Sequence, residues 1–217
     1  MNAEPIDIQL VVFDLGQVLV RVCDGWSDAC GRLGIRHDDR SLDRREAAVM
    51  NDIVRRWDSG GLSLDQFAEE VAPLRGISAA DVIRIHQNYL LGTFPGAVEL
   101  IDELSSQALA TACLSNTNAG HWQQMQDRKG RNFFPLDRFT FRFPSHLIGA
   151  CKPDENIYRH VEEETRTKGG QIIFFDDRPE NVDVAMQRGW KAHVIAIDGD
   201  PVKQIRQHLR THRVLNT

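Results

Sequence analysis

The sequence predicts an α/β fold, a parallel sheet wrapped by helices, with a helical segment inserted after the first strand. Three observations predict it. Short apolar runs that read as strands recur at 8–15, 110–114 and 171–175. Amphipathic helical patterns separate the later runs, which is the rhythm of βαβ units. One long stretch, from about Asp24 to Gly92, carries helical periodicity only.

Taken in order, residues 8–15 read Ile-Gln-Leu-Val-Val-Phe-Asp-Leu, a buried strand closed by Gly16. In the inserted stretch, Met50, Ile53, Val54 and Trp57 fall at helix spacing, and Gly60-Gly61 breaks the pattern. Ser63 and Gln66 then form a capping box ahead of the stripe Phe67, Val71 and Leu74. Ser78 is an N-cap for a helix carrying Val82, Ile85 and Tyr89. No strand is expected in this stretch. After Pro95-Gly96 the rhythm alternates. Val98, Ile101 and Leu104 mark a helix, 110–114 a strand, and a helix follows from about Asn118. Phe139 to Phe143 reads as a strand, and Ile157 and Val161 lie on a helix beyond Lys152-Pro153. Gln171 to Phe175 is strand-like, Pro179 suits the first helical position, and that helix ends near Gly189. His193 to Ile197 is the last expected strand, and Val202, Ile205 and Leu209 close the chain on a helix.

Composition narrows the function. The net charge of −5, without a long basic tract, argues against nucleic acid as a partner. Arg44, Arg45, Arg55 and Arg56 read as a solvated helix face. No apolar run approaches the roughly 20 residues that span a bilayer, so no membrane partner is expected. Met1 to Gln9 has two acids and no basic side chain, unlike a secretory signal, and a cytoplasmic location is the expectation. Cys23, Cys30, Cys113 and Cys151 have neither Cys-x-x-Cys spacing nor a disulfide pattern, and Cys113 reads as a core residue.

Ligands of parallel α/β sheets bind outside the carboxyl ends of the strands. Asp14 lies near the end of the first strand, Ser115 and Asn116 end the 110–114 run, Asp176 and Asp177 end the 171–175 run, and Lys152 precedes a helix. Singly, each is a turn, a cap or a surface residue. Together at one sheet edge they suit phosphate chemistry. Asp14 and Asp177 can share Mg²⁺, a cation that prefers oxygen ligands. A carboxylate is an established nucleophile at phosphorus. Ser115 suits phosphate oxygens, and Lys152 suits the charge between nucleophile and transferred group.

The motifs resemble those of the haloacid dehalogenase-like superfamily. Phe13-Asp14-Leu15-Gly16-Gln17-Val18-Leu19 resembles its first motif and Leu114-Ser115-Asn116-Thr117-Asn118 its second. Gly149-Ala150-Cys151-Lys152-Pro153-Asp154 with Ile157-Tyr158 resembles the third, and Phe174 to Asn181 the fourth. All four stand in order over nearly the whole chain. The wording is similar to that of sugar-phosphate phosphatases and the phosphatase-like domain of epoxide hydrolases. The resemblance implies a Rossmann-like parallel-sheet core, residues 1–22 and 93–217, with an inserted C1-type helical cap, residues 23–92. It implies a Mg²⁺-dependent phosphatase acting on a small phosphorylated metabolite. Carried over by position, Asp14 is nucleophile and metal ligand, the Gly16 carbonyl and Asp177 complete the metal set, and Ser115, Asn116 and Lys152 meet the phosphate. Asp176 and Asn181 support them, and His121, just beyond the second motif, is a further candidate for substrate binding that faces either the cap or solvent.

Gly16 departs from the pattern, because family phosphatases carry there an Asp that serves as general acid and base. Asp24 and His121 are candidate replacements. Two other readings stay open: a metal-independent haloacid dehalogenase, which also lacks the second Asp, and a catalytically silent binding protein that keeps the fold. Trp26, Arg56 and Trp57 are candidates for substrate selection from the cap, although Trp57 also suits its core. The residues leave the substrate and the oligomeric state open.

Overall fold

A computed structural model describes residues 8–37 and 41–216. The acidic leader up to residue 7, and residues 38–40 of the expected cap, lie outside the described residues.

Five parallel strands form the sheet, in the order β5-β4-β1-β6-β7. They are β1 (Leu10–Phe13), β4 (Ala110–Ser115), β5 (Phe141–Pro144), β6 (Ile172–Asp176) and β7 (Lys191–Val194). Alternation along the central strands sends side chains to two separate cores. Val11, Phe13, Cys113, Ile173 and Phe175 enter one, against helices α5 (Ala97–Ser106), α6 (Ala119–Gln126) and α10 (Pro201–Thr211). Leu10, Val12, Leu114, Ile172 and Phe174 enter the other, against α8 (Glu155–Thr165) and α9 (Pro179–Gln187). Burial on both faces explains why these strands read as unbroken apolar runs.

The expected helices of the insertion are α1 (Gly25–Leu33), α2 (Arg44–Asp58), α3 (Leu64–Arg75) and α4 (Ala79–Gln87). Ser63 caps α3 in a box with Gln66, and Ser78 caps α4 by accepting from the Asp81 amide. Met50, Ile53, Trp57, Phe67, Val71 and Val82 bury one another, with Trp57 stacked on Phe67 at 3.6 Å between ring centres. A second cluster holds Cys23, Cys30 and Ile85.

One expectation is corrected here. The stretch to Gly92 is not free of strand. The chain enters the insertion through β2 (Val20–Val22) and leaves it through β3 (Leu90–Thr93), and these two pair antiparallel, with Val20 opposite Thr93. Two smaller differences concern strand ends. β7 stops at Val194 rather than Ile197, and β5 is shifted to Phe141–Pro144, after a short 3₁₀ turn at Leu136–Arg138. Among the described residues no helix is long and apolar enough to cross a membrane.

Candidate active site

β1 is central, and the chain runs from it to β4 on one side and later to β6 on the other. That reversal opens a crevice at the carboxyl ends of the three strands. Asp14 directly follows β1, its amide donating to the Phe175 carbonyl at 2.8 Å. Ser115 ends β4 and Asp176 ends β6.

Lys152 reaches this point from the loop before α8. Its Nζ lies 2.9 Å from Asp14 Oδ1 and 2.6 Å from Asp176 Oδ2, and it is buried. Asn116 fixes the loop. Its Nδ2 donates to the Lys152 carbonyl at 2.8 Å and its Oδ1 accepts from the Lys152 amide at 2.8 Å. Asp176 is held on its other oxygen by Asn181 Nδ2 and by the Arg178 amide, both at 2.9 Å. Tyr158 secures the start of α9 by donating to the Asn181 carbonyl at 2.9 Å.

Two carboxylates, Asp14 and Asp176, therefore share one ammonium, with Asp177 close beside them. Asp14, Asp176 and Asp177 each offer an oxygen, all within 4.8 Å of one another. Burial pushes the Asp14 carboxyl well above the usual range; Lys152 opposes this, and Asp176 and Asp177 add to it. Asp177 is raised for the same two reasons, burial first and Asp176 second. Burial pulls the Lys152 ammonium down, but Asp14 and Asp176 more than offset it and hold it charged. Such surplus negative charge in a poorly hydrated site fits a divalent cation. Asn181 Oδ1 is a further oxygen at this spot, buried without a hydrogen-bond partner. Asp176 is the most engaged of the three, with Lys152 on one oxygen and Arg178 and Asn181 on the other.

Asp14 and Asp177 open into a cavity of about 860 Å³ whose far wall is the insertion. Gly16, Ser115 and Lys152 line it from the core, and Asp24, Arg56, Asp58 and Tyr89 from the insertion. Arg56 is tied to Asp52 and Glu70. A smaller annex of about 220 Å³ adjoins it, lined by Trp26, Trp57, Phe67, His86, Tyr89 and His121 among others. Asp58, Tyr89, Asn116 and His121 belong to both.

His121 faces the insertion, not solvent. Its ring stacks on His86 at 4.0 Å and on Tyr89 at 5.8 Å. The His86 carbonyl only accepts, so His121 Nε2 carries the proton and donates to it at 3.0 Å. His121 Nδ1 then accepts from Asn118 at 3.2 Å. Burial lowers His121 to about 4 and His86 to about 3, so both rings are neutral near pH 7.

The sequence did not single out Asp58. It ends α2, where Trp57-Asp58-Ser59-Gly60 reads as an ordinary helix end, and its partners Asn118 and Ser145 are remote in the chain.

The family model for haloacid dehalogenase-like hydrolases matches residues 8–187. Acyl-CoA dehydrogenase family member 10 of Mus musculus is 28% identical over 209 residues. That match covers 87% of this chain but spans only 18% of the mouse protein. The sesquiterpene phosphatase astK of Aspergillus oryzae is 33% identical over 180 residues, covering 82% of this chain and 85% of the relative. Among solved structures, a HAD family enzyme from Bacteroides thetaiotaomicron superposes with a TM-score of 0.74 at 20% identity, covering 92% of this chain and 99% of that one. The same enzyme has been crystallised in complex with magnesium and inorganic phosphate.

Proposed function

The chain belongs to the haloacid dehalogenase-like hydrolases, and from that premise we propose that it is a Mg²⁺-dependent phosphatase of small phosphate monoesters, sugar phosphates among them. The observation that carries the reading is the shared ammonium: Lys152 between Asp14 and Asp176, with Asp177 and the unpartnered Asn181 oxygen alongside. Two named proteins support it, a phosphatase among the sequence relatives and a structural neighbour holding magnesium and phosphate.

Asp14 is the nucleophile and forms an aspartyl-phosphate. Lys152 holds it in position and offers charge to the phosphate oxygens, joined by Ser115. Asn116 acts through Lys152, keeping its main chain in place. Asp14, Asp177 and the Gly16 carbonyl would hold Mg²⁺, with Asp176 and Asn181 behind them. When bound, the cation neutralises the phosphate dianion. Residues 23–92 are the cap and residues 1–22 and 93–217 the core. His121 contributes at their seam, in contact with His86 and Tyr89.

The test is hydrolysis of a panel of phosphorylated metabolites. EDTA should abolish turnover, Mg²⁺ restore it, and Asp14→Asn remove it. Full phosphatase activity in EDTA would overturn the metal assignment, and halide release from a 2-haloacid in EDTA without any phosphatase activity would favour the metal-independent dehalogenase reading that Gly16 admits. Mg²⁺ binding without any hydrolysis would favour a silent binding protein.

A further inference from the structure

Gly16 brings no proton donor to a leaving group. Of the groups named above for that task, His121 has its single ring proton committed to the His86 carbonyl, and Asp24 is exposed at the start of α1. Asp58 differs from both. It is half-buried and lines both the cavity over Asp14 and the aromatic annex.

Its place is set by the core. Ser145 Oγ donates to the Asp58 carbonyl at 2.6 Å and accepts from the Thr117 amide at 2.9 Å, so the same residue touches α2 and the segment following β4. The Asn118 carboxamide lies near the Asp58 carboxyl and favours its charged form, against the larger effect of burial. Two residues on, Gly60 meets the core so closely that a Cβ there would lie 2.5 Å from the His146 carbonyl oxygen. Among the described residues no cation pairs with the carboxyl. Arg55 pairs with Asp52, and Arg56 with Asp52 and Glu70. Tyr89, His86 and His121 line the annex with it and Cys151 the larger cavity, which Asp14, Lys152 and Asp177 also line from the core. Burial keeps the first three neutral and holds the Cys151 thiol protonated.

Resting on the phosphatase reading, we propose that Asp58 is the general acid and base of this site, in place of the side chain that Gly16 lacks. In the first step a carboxylate oxygen of Asp14 bonds to phosphorus as the ester P–O bond breaks. The Asp58 proton passes to the departing oxygen and the alcohol leaves. In the second step a water oxygen bonds to phosphorus and the P–O bond to Asp14 breaks. The Asp58 carboxylate takes the water proton, so inorganic phosphate departs and both acids return to their starting state. Burial pushes the Asp58 carboxyl up to about 7, where one group serves in both directions near neutral pH.

The test is Asp58→Asn, which keeps the shape of the side chain, assayed with Mg²⁺ on p-nitrophenyl phosphate and on a simple alkyl phosphate. Alkyl phosphate hydrolysis should fall by about 10²–10⁴-fold, while phosphorylation of Asp14 by the aryl ester stays within about tenfold of wild type. Phospho-Asp14 should then accumulate, because its hydrolysis has lost the base. The same leaving-group dependence in variant and wild type overturns the proposal. If Asp58→Asn does not fold, the wild type carries the test: its leaving-group slope should steepen from about pH 6 to about pH 8.5 as the Asp58 proton is lost, and an unchanged slope overturns the proposal. Failure of the underlying reading looks different. A wild type inactive on every ester, or an Asp14→Asn variant as active as wild type, refutes the phosphatase and takes the role of Asp58 with it. Labelled Asp14 with an indifferent Asp58→Asn refutes Asp58 alone.

Discussion

A buried acid that titrates near neutrality costs stability once it ionises. The Asp58 carboxyl is raised by burial to about 7 in the folded chain, against 3.8 for an ordinary aspartate. A raised carboxyl pKa contributes stability fully below the unfolded value, and that contribution is lost as pH rises through the folded value. Asp58→Asn is therefore expected to melt higher than wild type at about pH 8, by about 1–3 kcal/mol after allowance for the exposed part of the side chain, and alongside it at about pH 4. Thermal melts at both pH values decide this, and a variant less stable than wild type at the higher pH contradicts it. Lys152 has the opposite sense. Its removal in Lys152→Ala leaves Asp14 and Asp176 buried without their cation, at a cost of about 3–5 kcal/mol in urea unfolding. Gly16 has open space where a Cβ would stand, so Gly16→Asp should fold. It should speed alkyl phosphate hydrolysis in the Asp58→Asn background, and an unimproved double variant would count against the acid–base account. At this scale the sequence was enough to bring Asp14, Ser115, Lys152 and Asp177 to one cavity, because each residue type stands at a strand end or in a motif of fixed wording. The surroundings of Asp58 were not legible, since contacts 60 and 87 residues away in the chain create them.

Among the elements, the sheet strands and most helices were legible for one reason: each has a periodicity enforced by its own burial. Leu10 and Val12 face one core and Val11 and Phe13 the other, which leaves no polar position in β1. The helix starts were legible from local chemistry, as at Ser63 and Ser78. β2 and β3 were not. They are three and four residues long, largely half-buried, and stand apart from the main sheet, so neither carries a full period of pattern. The seam between α2 and the short helix α7 (Ser145–Ile148) was equally silent. Gly60 makes that seam possible, with φ at +81° and the His146 carbonyl where a Cβ would go. Gly60→Ala should cost about 1–3 kcal/mol and loosen the end of α2. Lower melting with faster proteolytic cleavage near residue 60 is the expected result, and an unchanged protein would mean that the seam yields without cost.

At the scale of the whole molecule, the cavity is bounded by two parts of the chain that meet along one line, with Asp14 on one wall and Asp58 on the other. Substrates must fit between the walls, so a folded phosphoprotein should be dephosphorylated far more slowly than a small metabolite. Comparable rates for the two would contradict a closing cap. The paired strands β2 and β3 have a further consequence, which concerns how the chain can be cut. Val20 and Thr93 sit opposite each other in one ladder, roughly 5 Å apart as neighbouring strands are. The polypeptide thus leaves the sheet and returns to the same spot, and the residues between form a detour with its doorway already closed. Excising 23–89 and joining Val22 to Leu90 through a tight two-residue turn should leave a hairpin in place of the detour. The shorter loop carries a smaller closure entropy, so the truncated chain should fold cooperatively around its five-stranded sheet while losing the proton donor with the excised wall.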